Sequence, residues 1–211
     1  DLGRPGQSII RDPDPVRLAD YLVVESTYGG RTHEPDPSAD LARIVRDVAE
    51  KRGFLLIPAF AVGRTQSLIW MLRDLEENGE IPRLPVAIDS PMANRVSDIY
   101  CCHDGDLDDE MLEAMDSKRC PLFCQTYELC NTPDESRSLN HRDGPMIIIA
   151  GSGMATGGRI VHHFKLRLQN PTTTVLLVGY QASGTRGAAL QDGAETVKIH
   201  GQEIPVKARV E

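Results

Sequence analysis

The residues of this chain best suited to chemistry lie in three loops between apolar runs. The richest is Ala150-Gly151-Ser152-Gly153-Met154-Ala155-Thr156-Gly157-Gly158-Arg159. Its glycines let successive backbone N–H groups converge into a nest for an oxyanion, and Ser152 and Thr156 add hydroxyls. It is not a dinucleotide fingerprint, because Thr156 stands where G-x-G-x-x-G needs its third glycine. Nor is it a P-loop, since no Gly-Lys-Ser/Thr follows. The second loop is Pro58-Ala59-Phe60-Ala61-Val62-Gly63-Arg64-Thr65-Gln66. Gly63 admits a close backbone approach, and Arg64 opens a helix, where free N–H groups and the dipole favour an anion. A guanidinium there can hold a phosphate through two hydrogen bonds; the plain alternative is a surface arginine after a turn glycine. The third loop, Asp89-Ser90-Pro91-Met92-Ala93, also reads as an ordinary helix start.

Carboxylates, histidines and cysteines add less. Glu25, in Glu25-Ser26-Thr27-Tyr28-Gly29, follows an apolar run. A carboxylate so placed is either structural or orients a metal ligand. His162 and His163 are adjacent, so on a helix they face different ways and cannot chelate together. The sequence contains no H-x-H-x-D-H and no H-E-x-x-H. Cys101, Cys102, Cys120, Cys124 and Cys130 form no C-x-x-C pair, which points to thiols in a reducing compartment rather than a zinc ribbon or a disulfide scaffold. The acidic run Asp104 to Glu110 imitates the start of a calcium loop, but its twelfth position would be Met115, so a solvated turn leading into a helix is expected.

Strand and helix signals alternate around these loops. Strands are expected at Tyr21–Val24, Phe54–Ile57, Pro85–Ile88, Met146–Ile149 and Thr173–Val178. Helices are expected after Ser38, with Leu41, Ile44, Val45 and Val48 inward, then over Thr65–Glu77, near Asn94–Tyr100 and over Arg159–Leu168. This alternation implies an α/β fold: a mainly parallel sheet with helices on both faces. Short all-apolar strands fit burial on both sides. The tail differs. Thr196–His200 and Glu203 onward read as a hairpin, which suggests a second sheet.

The chain has 211 residues, 40% of them hydrophobic, and a formal net charge of −8. It is long enough for a real core. The negative charge argues against coating nucleic acid by bulk electrostatics, but not against gripping a few phosphates locally. No apolar run approaches the ~20 residues of a membrane helix, and no apolar leader opens the chain. A cytoplasmic location without membrane contact is expected.

In order along the chain, Glu25-Ser-Thr-Tyr-Gly29, Pro58-Ala-Phe-Ala-Val-Gly-Arg64, Asp89-Ser-Pro-Met-Ala93, Ser152-Gly-Met154 with Gly157-Gly-Arg159, and Val178-Gly-Tyr-Gln181 with Gly184-Thr185 closely resemble the β-CASP family. These are metallo-β-lactamase-fold RNA nucleases that include the cleavage and polyadenylation endonuclease and bacterial and archaeal relatives. The resemblance is thinnest between Cys101 and Leu139. It implies a lid domain over a cleft that holds RNA above two zinc ions. Residues 1–30 would belong to the metallo-β-lactamase domain, 31–195 to the β-CASP domain, and 196–211 to strands returning to the metallo-β-lactamase sheet.

The resemblance also implies roles. Asp1 would be the aspartate that bridges the metals, and Glu25 the acid of the catalytic site. From position and chemistry, Arg64, Ser152, Gly153, Thr156, Gly157 and Arg159 would bind the RNA phosphates. The family's metal-binding histidines are absent here, so this chain alone is expected to hold no zinc and to cleave nothing. Its partners would be RNA and the metallo-β-lactamase domain of a longer parent, with a homodimer left open. Two other readings stay open: a non-catalytic RNA- or nucleotide-binding α/β module, and a family member that has lost its ligands.

Overall fold

The computed structural model describes residues 3–30, 37–115, 120–122 and 127–211. The first regular element is helix α1 (Pro37–Glu50), which turns Leu41, Ala42, Ile44, Val45 and Val48 inward. Strand β1 (Phe54–Pro58) follows and is buried throughout. Helix α2 (Arg64–Glu77) then leads to β2 (Val86–Asp89) and α3 (Pro91–Tyr100). Ser90 caps α3 by accepting from Ala93 N at 3.3 Å, with Pro91 in the first turn, the arrangement its sequence favours.

The acidic run becomes a turn of 3-10 helix at Asp104–Asp106, and Asp108 accepts from Met111 N at 2.7 Å as α4 (Asp109–Met115) begins. Then come β3 (Tyr127–Leu129), α5 (Pro133–Ser138), β4 (Met146–Ala150), α6 (Arg159–Arg167), β5 (Thr174–Val175) and α7 (Arg186–Gln191). The chain closes with β6 (Thr196–Ile199), β7 (Gln202–Pro205) and β8 (Arg209–Val210).

Among the described residues the main sheet has the order β3-β2-β4-β1-β5-β8, and all its pairings are parallel. Period-two alternation sorts its side chains to two faces. Leu55, Ile57, Val86, Ile88, Ile147 and Ile149 join a core with α1, with Leu68, Ile69, Leu72 and Leu75 of α2, and with Met111. Leu56, Ala87, Met146, Ile148 and Ala150 join the other core, with Ile160, Val161 and Phe164 of α6, Leu190 of α7, and Val197, Ile199 and Ile204 of the hairpin. Each fully buried Val, Leu, Ile, Met or Phe among them favours folding by ~1.5–3 kcal/mol. The α/β fold with helices on both faces is therefore the observed one, beside a small antiparallel sheet of β6 and β7.

Three expectations change. Tyr21–Val24 is not a strand: Tyr21 is 94% and Val23 100% exposed, and no neighbouring strand pairs with it among the described residues. An apolar run becomes a strand only where a ladder partner exists, and this one has none here. The tail also divides. Its alternating pattern breaks after Pro205, where Lys207 and Ala208 donate to the Leu168 carbonyl at 2.8 and 2.9 Å. The chain then rejoins the main sheet as β8, with Arg209 N on Thr173 O at 3.0 Å and Glu211 N on Val175 O at 2.9 Å. Finally, Cys101 and Cys120 are joined as a disulfide, with Cα atoms 5.6 Å apart, in place of the expected free thiols. The segment after α3 turns back on the end of that helix, a proximity that spacing alone does not reveal. No helix among the described residues is long and apolar enough to cross a membrane.

Candidate functional site

Because β1, β2, β4 and β5 are parallel, the loops that follow them emerge along one edge of the sheet, the edge where α/β proteins place their ligands. The three loops singled out by sequence meet there. Ala59 N donates to the Ala150 carbonyl at 3.0 Å. Phe60 packs on Gly153 so closely that a Cβ on Gly153 would lie 2.8 Å from two ring carbons. A Cβ on Gly151 would stand 4.0 Å from the Ser90 hydroxyl.

Arg64 is the first residue of α2 and is exposed. Gly63 before it has φ +77°, which an L side chain rarely adopts. Thr65 fixes the turn by donating its amide and its hydroxyl to the Phe60 carbonyl, at 3.3 and 2.8 Å. Among the described residues the Arg64 side chain has no ion pair or hydrogen bond. It is free to meet an anion.

The glycine-rich loop is internally tied. Ile160 N donates to Gly151 O at 3.0 Å, and Ala155 N donates to Ser152 O at 3.0 Å. The Ser152 hydroxyl accepts from Thr156 N at 3.2 Å and lies 3.2 Å from the Thr156 hydroxyl. These bonds leave the N–H groups of Gly153 and Gly157 outside the loop's own hydrogen bonds. Gly158 has φ +72°, and a Cβ there would lie 2.4 Å from Gly151 O. Only glycine permits this closure.

The loop after β5 braces it, a role that sequence reasoning did not assign. Gln181 donates to Gly153 O at 3.1 Å and to Gly179 O at 2.9 Å. Gly187 N donates to Met154 O at 3.0 Å, and Arg186 donates to the carbonyls of Ala155 and Lys198. A Cβ on Gly187 would strike Gln181 Oε1 at 1.7 Å. The sequence marks Gln181 and Gly184-Thr185 as one of the motifs of the resemblance and places them after a strand, but gives no sign of what they hold.

Arg159 is placed differently from Arg64. Its guanidinium donates to Asp89 Oδ1 at 2.6 Å, to Cys130 O at 2.9 Å and to Asn131 O at 3.2 Å. Asp89 is fully buried at the end of β2 and also accepts from Ser136 Oγ at 2.6 Å and His163 Nε2 at 2.8 Å. Burial pushes its carboxyl upward, but the hydrogen bonds from His163, Ser136 and Arg159 outweigh that and hold it below the usual range. The two adjacent histidines do diverge: His163 is buried on Asp89, while His162 is exposed with its ring 4.8 Å from that of His200.

Glu25 is fully exposed and accepts from Thr27 N at 2.9 Å, a bond that lowers its carboxyl. The turn it begins reaches the same edge of the sheet, because Tyr28 and Tyr180 meet edge-to-face with ring centres 6.3 Å apart. Asp1 lies outside the described residues. Among the described residues no group of three or more His, Cys, Asp or Glu is arranged to hold a metal. A zinc ion asks for about four ligands, and Glu25 by itself does not meet that demand.

The profile of the Beta-Casp domain matches residues 65–190. Ribonuclease TTHA0252 from Thermus thermophilus is 35% identical over the whole of this chain, which covers 49% of that protein. Transcription termination factor FttA from Methanosarcina mazei is 30% identical over 86% of this chain and 29% of its own length. An RNase J-like protein from Methanocaldococcus jannaschii is 27% identical over 90% of this chain and 44% of its own length. This chain thus spans about half the length, or less, of these relatives. The profile takes in more than half of this chain, from α2 through β2, β4, the glycine-rich loop and α6 to α7, and on that ground the chain belongs to the Beta-Casp domain family.

Proposed function

We propose that this chain is the RNA-holding part of a metal-dependent RNA nuclease, and that its parallel-sheet edge grips the phosphates of the substrate. The observation that carries the reading is the convergence of an unpaired Arg64 with the glycine-rich loop on one edge of a sheet whose family includes named ribonucleases. Arg64 supplies a planar charged fork. The N–H groups of Gly153 and Gly157 supply neutral donors, and Ser152 and Thr156 add hydroxyls that can turn toward a phosphate oxygen. Arg159 acts differently in this proposal. Held by Asp89, it sets where the loop ends and α6 starts, and contacts RNA at most through its remaining exposed edge.

Hydrolysis of the phosphodiester belongs to the full-length protein. Two zinc ions, if it uses them, take their ligands from outside the described residues, and would supply an activated water. Glu25 then serves as an orienting carboxylate beside that centre. The exposed apolar run Tyr21–Val24 suits contact with the rest of such a protein.

The test is RNA binding by the full-length protein. Arg64→Ala is expected to weaken binding of a single-stranded oligoribonucleotide by about 1.5–3 kcal/mol, and Arg64→Lys to restore it only in part. The melting temperature should not move, because Arg64 is exposed and holds no ion pair among the described residues. Unchanged binding by Arg64→Ala would sink the reading.

A further inference from the structure

We infer that the ring of Phe60 is a stacking platform for one nucleobase of single-stranded RNA, set beside the phosphate-gripping groups. This inference rests on the reading of RNA as substrate and adds a base-contacting residue to it.

Phe60 lies two residues beyond the end of β1, a strand in the middle of the sheet, flanked by β4 and β5. It is 46% exposed, whereas Phe54, Trp70 and Phe164 are at most 8% exposed. An aromatic ring left half in water on the ligand edge loses burial that the fold secures for Phe54, Trp70 and Phe164. It is also held in place. Its carbonyl accepts two hydrogen bonds from Thr65, and its ring is braced by Gly153, where no side chain fits without displacing it.

Flexibility is therefore low, and part of the ring surface is open. Four residues on, Arg64 carries a charge that no carboxylate among the described residues offsets. A fixed aromatic surface next to an unpaired cation is the pairing that single-stranded nucleic acid uses: the cation meets the backbone, and the ring meets a base. The net charge of −8 gives stacking more weight, because bulk attraction to RNA is absent. The occupant is a base rather than a protein side chain, since the charge beside the ring complements a phosphodiester.

The experiment compares two oligoribonucleotides of equal length and charge, one with bases and one abasic, on the full-length protein. Phe60→Leu keeps an apolar contact with Gly153 but removes the π face. It is expected to lower affinity for the base-containing strand about tenfold, within the range for loss of one stack, and to leave the abasic strand unaffected. Phe60→Trp should restore affinity, and its new exposed indole should be quenched by the base-containing strand only.

Equal weakening of both strands by Phe60→Leu would show that the ring merely supports the glycine-rich loop, and would overturn the inference. So would wild-type affinity for both strands. Should Phe60→Leu fail to fold, the indole decides: no base-dependent quenching in Phe60→Trp overturns it. Failure of the parent reading looks different, because Arg64→Ala would then bind both strands as wild type does.

Discussion

Asp89 and Arg159 meet at 2.6 Å, joining the end of β2 to the first residue of α6. The contact spans the mouth of the glycine-rich loop. It fixes the start of α6 against a strand two positions from β1 in the sheet, so the loop's position depends on a carboxylate that never needs to touch a ligand.

Asp89→Asn is expected to lower the unfolding free energy by roughly 2–4 kcal/mol, toward the lower part of the range for breaking a buried pair. The Arg159 side chain is 21% exposed and keeps two carbonyl partners, which softens the loss. Urea unfolding followed by circular dichroism would measure it. A change under about 0.5 kcal/mol, the scatter of ordinary surface substitutions, would mean that the pair does not organise the fold.

The same carboxyl sets an acid limit. Its folded-state value lies below the ordinary 3.8, through its hydrogen bonds and against its burial. A depressed carboxyl contributes stability that is present above the unfolded value and is lost as pH falls through the folded one. Stability should therefore drop below about pH 3.8 more steeply in wild type than in Asp89→Asn. Parallel pH profiles of the urea midpoint would contradict this.

Gly158→Ala should be costly for reasons of backbone alone. It combines φ +72° with a Cβ 2.4 Å from Gly151 O, and strain of this kind costs about 1–3 kcal/mol, before the clash. Gly157→Ala meets nothing within 4 Å and serves as the control. Thermal melts of the two variants should separate clearly.

The Cys101–Cys120 disulfide closes a span of 19 residues. Loops of that size gain about 3 kcal/mol from the cross-link. Reductant is expected to lower the stability of wild type, while Cys120→Ser already sits at the lower value and does not respond. Intact mass after alkylation without reductant should show two fewer modified cysteines than after reduction.

Much of the fold is legible in the sequence because the central strands carry unbroken apolar runs and the helices α1 and α2 carry a 3.6-residue stripe. Phe54–Ile57, Pro85–Ile88 and Met146–Ile149 each fall within a residue or two of β1, β2 and β4. β3 escapes, because three half-buried residues centred on Glu128 give no periodicity to read. The site shows the limit more sharply. Gly63-Arg64 and Gly158-Arg159 are the same local signal, a positive-φ glycine followed by an arginine at the first position of a helix. One guanidinium stays free and the other is tied down, and the difference is Asp89, which only the β2–β4 pairing brings within reach of the second. Tyr21–Val24 misleads for the related reason that a strand is a property of two segments.

The strand order also sets a timetable for synthesis. β1 has β4 and β5 as its neighbours, and Phe54 faces Met146. Until Met146–Ala150 has been made, β1 has neither of its neighbours in this sheet, and β2 can pair only with the short β3. Two intensely apolar segments must wait for the arrival of Met146–Ala150. Sheets closed by such late, distant partners form slowly and leave sticky surface open meanwhile. A nascent chain stopped short of Ala150 should thus cling to a holding chaperone, and one extended past Val175 should let go.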